Sequence, residues 1–466
     1  MSHVHAFTDD ALADLDAVGV AEAIAAGTIS AQEAVEAAID RIEKVDGELS
    51  GVALRLYDRA RALAAHPHHG FFAGVPTLIK DNVDLVGLPT QHGTDAYVAR
   101  PARRNGDFAH MYLETGVIPV AKSRLSEWGF SGSCEHPRLG AVRSPWDTGR
   151  VAGASSAGSA ALVAAGAVPM AHGNDGGGSI RIPAAVNGLV GLKPSRDRVA
   201  QDAYFRLMPV RLVCDGVITR TVRDTAAFLR EAERIKPAPG LHPVGDVTGP
   251  SRRRLRVAVC TSADGRSATP EVAELTRKTA CQLEELGHRV EEVDPPVPQG
   301  IGVDFLTYWS LLANLVVRSG ALHGPSWDPA RLDNLTLGLA HFSSRSITRL
   351  PGAVRRLQQA RALAEEFHQT YDVVLTPTLA AETPTVGHLD PTQDYEELIE
   401  RMQDWVAFTP WQNITGQPAI SLPLQRTARG LPHGMMFGAA TGREDLLLGL
   451  AFELEEAFRF PRIQDV

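Results

Sequence analysis

Residues 150–194 read RVAGASSAGSAALVAAGAVPMAHGNDGGGSIRIPAAVNGLVGLKP, a stretch made largely of glycine, alanine and serine. So few large side chains over so long a run mean that something approaches this backbone closely. Two small polar clusters, 153–158 and 174–179, flank the apolar segment 160–168, which predicts a helix followed by a short strand ending near Gly173. Gly176, Gly177 and Gly178 allow torsions that side chains forbid, and they leave successive N–H groups bare in front of Ser179. Pro183 fits the first turn of a helix, so Ser179 is expected at a helix N-terminus, where developing negative charge is favoured. Such a row of N–H groups can hold an oxyanion. A flexible turn is the plain alternative for three consecutive glycines. A phosphate cradle in a nucleotide-binding protein is another, although neither GxxxxGK[ST] nor GxGxxG accompanies it.

The flanking order decides between these readings. Ser155 and Ser156 follow Gly153 and Ala154, Ser179 stands 24 positions after Ser155 in a Gly-Gly-Ser-Ile-Arg context, and GLVGLKPS follows over 188–195. Upstream, Gly74, Val75 and Pro76 precede Lys80, Asp81 and Asn82. In these motifs and their spacing the chain resembles the amidase signature family of Ser-cisSer-Lys amidohydrolases. The resemblance runs from about Ala11 to Phe458 and includes Ser126, Glu127, Gly129, Ser131 and Gly132 before the serine loop and FTPWQNITGQPAISLP over 408–423. The family carries a second glycine where this chain has Ala154. Its cis bond at the first serine implies a cis Ala154–Ser155 peptide, which for a non-proline bond costs roughly 3–4 kcal/mol.

The resemblance implies an α/β fold with a large mixed, mostly parallel sheet covered by helices on both faces. It also implies one domain over 1–466, where the lengths alone would allow up to three at about 150 residues each. Within it, 8–66 is expected as a helical layer, 67–233 as the signature core, 234–254 as a surface connection and 255–466 as the remainder of the α/β body. Ser30 and Glu33 form a capping box ahead of a helical pattern, and 8–66 reads as helical throughout. The apolar run before Lys80 puts that residue at the end of a buried strand. A strand over 255–259, a helix opened by Thr269-Pro270 and ended by Gly287, and a strand over 289–293 form a βαβ unit. A further buried strand is expected at 371–377. Residues 294–351, with Trp309, Trp327 and His341, have no clear register and are expected to shape a pocket.

Carried over from the family, Ser179 is the nucleophile, Ser155 bridges it to Lys80, and neutral Lys80 takes the proton and returns it to the leaving nitrogen. The N–H groups of Gly176, Gly177, Gly178 and Ser179 hold the oxyanion. An ordinary lysine titrates near 10.4, so this chemistry requires burial or nearby positive charge to bring Lys80 down. Asp175 and Arg181 are expected to pair and hold the loop in shape. Cys134 and His136 invite a Cys/His mechanism, but two residues' separation on a loop says little and no carboxylate is placed to orient the pair, so a pocket-lining role is the expectation. His66, His68 and His69, broken by Pro67, read as a solvated loop. The sequon at Asn413 falls in a family-like core segment and is discounted.

Composition bounds the rest. Apolar residues make up 44% and charged residues 22% of the 466, which suits a packed globular body. Lys and Arg number 46 against 55 Asp and Glu, a net charge of −9 with no basic stripe among aromatics, so nucleic acid is not an expected partner. Cys134, Cys214, Cys260 and Cys281 show no CxxC spacing, and MSHVHAFTDD has neither the basic nor the apolar region of a leader, which gives reduced thiols and a cytoplasmic location as expectations. The longest small-apolar run is shorter than the ~20 residues a bilayer span needs, so no membrane insertion is expected. No metal or organic cofactor is implied, the partner is a small-molecule amide, and a homodimer is left open. The wording HGNDGGGSIRIPA is similar to that of members acting on linear or cyclic non-peptide amides, such as 6-aminohexanoate cyclic dimer hydrolases. The glutamine amidotransferase A subunit is the competing member type, and the departures over 196–220 from its common wording weigh against it.

Overall fold

The computed structural model describes residues 3–465. Its centre is an eight-stranded sheet whose strands run, edge to edge, Arg289–Glu292, Arg256–Val259, Val373–Pro377, Pro432–Ala439, Ala419–Arg426, Val190–Lys193, Cys214–Thr219 and Met170–Asp175. The βαβ unit is present: Arg256–Val259 and Arg289–Glu292 pair in parallel around the helix Pro270–Glu285. The sheet is mixed, as expected, but the proportion differs from a mostly parallel one. Only the pairings of Arg256–Val259 with its two neighbours are parallel, and the remaining five are antiparallel. Parallel neighbours need long crossovers. Here Ala419–Arg426 and Pro432–Ala439 are joined by a short turn instead, and that hairpin sets the antiparallel sense of the sheet's middle.

A second sheet of three strands, in the order Val52–Arg55, Ile118–Ser123 and Pro76–Lys80, lies beside the Met170–Asp175 edge. The two are stitched by side chains: Thr77 Oγ1 donates to the Met170 carbonyl at 3.0 Å, and the Lys80 N–H donates to His172 Nδ1 at 3.2 Å. The strand Val52–Arg55 corrects the expectation that 8–66 is helical throughout. Its four residues alternate between half-buried and exposed, and its antiparallel partner on Ile118–Ser123 fixes it as a strand between the helices Ala31–Leu49 and Tyr57–Ala64. The capping box is formed, with Ser30 Oγ accepting from the Glu33 N–H at 3.1 Å and Glu33 accepting from the Ser30 N–H at 2.8 Å.

The small-residue run is explained by the helix Ala157–Ala164, every residue of which is buried. It passes so close to neighbouring chain that a Cβ added to Gly158 would lie 2.3 Å from the Gly51 carbonyl oxygen. Leu162, Val163 and the alanines of this helix pack into the largest apolar core. A second apolar cluster, separate from it, gathers Phe130, Ile182, Tyr308, Trp405 and Trp411. Among the described residues no helix is long and apolar enough to cross a membrane.

Candidate active site

The two sheets meet where their strands end. Lys80 is the last residue of Pro76–Lys80, and Asp175 is the last of Met170–Asp175, so the turn 176–180 starts beside the lysine. Lys80 is fully buried, and its Nζ donates to Ser155 Oγ at 2.7 Å and to the Asn174 carbonyl at 3.3 Å. Burial pushes the Lys80 amine down to about 7, against the opposing charges of Asp215 and Asp175. An amine in that range is half neutral near pH 7 and can accept a proton.

The peptide bond between Ala154 and Ser155 is trans, contrary to the expected cis form. Trans is the lower-energy state for a non-proline bond, and Ser155 Oγ reaches Lys80 from it. Ser155 and Ser179 are not hydrogen-bonded to each other in this structure; the hydrogen bond of Ser155 is the one to Lys80.

The glycine turn owes its shape to Asp175. Its carboxylate accepts the N–H groups of Gly178 at 2.8 Å and Ile180 at 3.1 Å, and Arg181 closes on it with Nη2 to Oδ1 at 2.9 Å and Nε to Oδ2 at 3.0 Å. Asp175 and Arg181 are both fully buried. Burial alone would raise the Asp175 carboxyl, but the charge and hydrogen bonds of Arg181, with Lys193 and Asn413 behind them, hold it at about 2. The expected pairing is therefore formed. Asn413, the sequon asparagine, is buried here, donating to the Asp175 carboxylate at 2.8 Å and to the Leu212 carbonyl at 3.0 Å. A buried ion pair of this kind is satisfied on every side, and removing one partner would leave the other charge uncompensated.

One consequence touches the oxyanion donors. The Gly178 N–H is already engaged by Asp175, whereas those of Gly176, Gly177 and Ser179 make no hydrogen bond among the described residues. Gly178 has φ +133, and a Cβ there would fall 2.3 Å from Thr409 Oγ1, which itself donates to the Gly177 carbonyl at 2.6 Å. Glycine is required at this position on both counts. Ser179 is 8% exposed, and with Gly177 and Ala154 it lines a pocket of about 370 Å³.

A second set of buried groups backs Lys80. His172, stacked on Phe108 at 4.5 Å between ring centres, has its pKa lowered by burial, so the imidazole is neutral. Its Nδ1 accepts from the Lys80 N–H, which leaves the proton on Nε2 for Asp215 Oδ1 at 3.1 Å. Asp215 also accepts from Asn174 Nδ2 at 2.9 Å, so it braces both the Lys80 backbone and the residue whose carbonyl receives Nζ. Nothing in the motif spacing pointed to His172. Asp215 lies in the segment that reads as divergent, and only the strand pairing opposite Asn174 reveals its place.

Cys134 and His136 do not line the pocket, which corrects that expectation. Cys134 is buried, and burial pushes its thiol up to about 11. His136 lies in a loop where Nδ1 accepts from the N–H groups of Arg138 and Leu139 at 3.2 and 3.1 Å, and burial lowers it to about 4 despite Asp95. Both serve as packing and loop-shaping groups. His66, His68 and His69 are exposed, as a solvated loop requires. The wall residues Phe305 and Trp309 come from the helix Ile301–Arg318, inside the stretch without register; their spacing of four is the helical signal that would have placed them on one face.

Comparison with known proteins shows the family. The family profile described as Amidase matches residues 33–448. The candidate amidase AmiC of Mycobacterium leprae (strain TN) is 58% identical over 100% of this chain and 99% of its own length. The 6-aminohexanoate-cyclic-dimer hydrolase of Paenarthrobacter ureafaciens is 33% identical over 95% of this chain and 94% of its own. Among solved structures, a 6-aminohexanoate cyclic dimer hydrolase complexed with substrate superposes with a TM-score of 0.88 at 31% identity, covering 97% of this chain and 98% of the other. A bacterial aryl acylamidase of the amidase signature family gives a TM-score of 0.86 at 27% identity, covering 97% and 98%. The chain belongs to the amidase family.

Proposed function

We propose that this enzyme hydrolyses a small-molecule carboxamide through an acyl-enzyme on Ser179. The observation that carries the reading is the contact of 2.7 Å between Ser155 Oγ and a fully buried Lys80 whose amine sits at about 7. Lysine is a base only when neutral, and about half of this lysine is neutral near pH 7. In the proposed sequence, Ser179 Oγ attacks the carbonyl carbon and passes its proton to Ser155, whose own proton moves to Lys80 Nζ. As the C–N bond breaks, the proton returns through Ser155 to the departing nitrogen and the amine leaves. Water then attacks the ester so formed, the C–O bond to Ser179 breaks, and the acid is released.

The N–H groups of Gly176, Gly177 and Ser179 are the donors proposed for the tetrahedral oxyanion, with Gly178 reassigned to holding the turn through Asp175. The Ser155 to Ser179 link is proposed to form with substrate bound, since such hydrogen bonds tighten on going to the reacting complex. The phosphate-cradle reading of the same turn is set aside, because Gly177 and Ser179 line a largely apolar pocket and the turn lies beside a buried base.

The test uses leaving groups. An amine must be protonated to depart, whereas a nitrophenolate leaves unaided. Lys80→Ala and Ser155→Ala should therefore lower kcat/KM for an anilide more than for the nitrophenyl ester of the same acid, the shared acyl half cancelling in the comparison. Equal losses would reduce Lys80 to an activator of Ser179, and no loss would remove it from the mechanism.

A further inference from the structure

The pocket in front of Ser179 carries two charged lining residues, Asp264 and Arg266, and neither is free. Asp264 accepts from the N–H groups of Gly300 at 2.5 Å and Gly302 at 2.6 Å, which ties it to the start of the helix Ile301–Arg318. Arg266 is held by Asp404, by Glu400 at 3.2 Å and by Gln403 Oε1 at 3.1 Å. An anion brought in by a ligand would therefore find no unpaired cation on these walls, whereas the Asp264 carboxylate meets only N–H groups and forms no ion pair among the described residues.

The walls themselves are aromatic. Phe305 and Trp309 stack at 5.5 Å with their rings 16° apart, and Trp309 meets Phe130 edge-on at 5.5 Å and 89°. Trp309 Nε1 donates to the Phe130 carbonyl at 3.4 Å, so its polar atom is turned away from the cavity's needs. These rings stand directly over the turn. A Cβ on Gly176 would lie 3.0 Å from Trp309, and one on Gly177 would lie 3.2 Å from Phe305. An amide whose carbonyl oxygen reaches the N–H groups of that turn must therefore lay its neighbouring atoms against indole and phenyl carbon. Met402, Trp411 and Ile414 complete an apolar surround. A cavity of about 370 Å³ is at the small end of the range for organic ligands.

We propose, on the reading of Ser179 as nucleophile, that the substrate is an amide free of carboxylate, carrying a compact apolar group of about the size of one ring or a six-carbon chain, seated against Phe305 and Trp309. Amides bearing a free carboxylate, glutamine among them, are excluded by the cost of stripping water from an anion that gains no partner.

The experiment compares matched amides. Hexanamide is set against adipamate, and acetanilide against 4-acetamidobenzoate, with acetamide as the small reference. Each charged member should show kcat/KM lower than its neutral match by about 100-fold or more. Trp309→Ala, and separately Phe305→Leu, should lower kcat/KM for hexanamide and acetanilide at least about tenfold more than for acetamide. Calorimetric titration of the Ser179→Ala protein with the same compounds reads binding without turnover. Neutral members binding more tightly than charged ones there supports the pocket assignment even where hydrolysis fails, and such a failure counts against Ser179 alone. Charged and neutral members binding and reacting alike, or both wall variants leaving the preference unchanged, would overturn it.

Discussion

Replacing Lys80 by methionine should abolish amide hydrolysis and at the same time make the protein more stable at neutral pH. Lys80 has an ordinary value of 10.5 and sits at about 7 in the fold because burial disfavours its charge. Between these values the unfolded chain binds a proton that the folded chain does not, so stability rises with pH across that window. At or below pH 7 the lysine costs about 5 kcal/mol, and the cost shrinks by about 1.4 kcal/mol per pH unit above it. Methionine fills the buried stem without the charge, although Ser155 Oγ loses its partner, which takes back about 1–3 kcal/mol. The net expectation at pH 7 is a gain of about 2–4 kcal/mol, falling by about 2 kcal/mol by pH 9. Guanidinium unfolding of both proteins at pH 7, 8 and 9 measures the difference, and titrations shared by the two cancel. A variant less stable than wild type at pH 7, or a difference that does not change with pH, would refute the view of Lys80 as a buried, mainly neutral amine.

The same amine governs activity. kcat/KM should rise with pH through a midpoint near 7, and because the charge of Asp215 opposes burial at Lys80, Asp215→Asn should move that midpoint to lower pH. A profile unchanged in Asp215→Asn would leave that residue a structural role only. Gly178→Ala must place a Cβ 2.3 Å from Thr409 Oγ1 at a backbone torsion of +133°, so it should destabilise the fold by about 2 kcal/mol or more and lower kcat sharply. Wild-type unfolding and turnover in this variant would show that the turn is less rigid than described. Cys134→Ser should keep most of the wild-type kcat/KM, since the thiol is buried and protonated and lies outside the pocket; a loss beyond tenfold would bring it back into the chemistry.

Much of this site is legible in local signals along the sequence. The apolar run ending at Lys80, the small-residue helix and the glycine row each follow from torsional freedom or burial read along one segment, although the helix spans Ala157–Ala164 where 160–168 was expected and the strand runs on to Asp175, past Gly173. The pair Asp175 and Arg181, six residues apart, was equally legible. Residues that act across long separations were not. Asn413 reaches Asp175 from 238 positions away, and it carried only the appearance of a sequon. His172 and Asp215 meet because two strands pair antiparallel, and neither has a motif of its own. Phe305 and Trp309 sit on a helix whose apolar residues extend around most of its circumference, which blurred its period. The strand Val52–Arg55 was hidden for the related reason that four residues between two helices depend on a partner strand for their conformation.

The central claim is that Ser179 forms the covalent acyl-enzyme. Trypsin cuts after Arg150 and Arg181, so Ser155, Ser156, Ser159 and Ser179 fall in one peptide, and the adduct of an uncharged fluorophosphonate must be placed by fragment ions within it. Adduct mass on Ser179, absent from a folded Ser179→Ala protein, is the predicted result; adduct on Ser155 or another serine, persisting in Ser179→Ala, would contradict it.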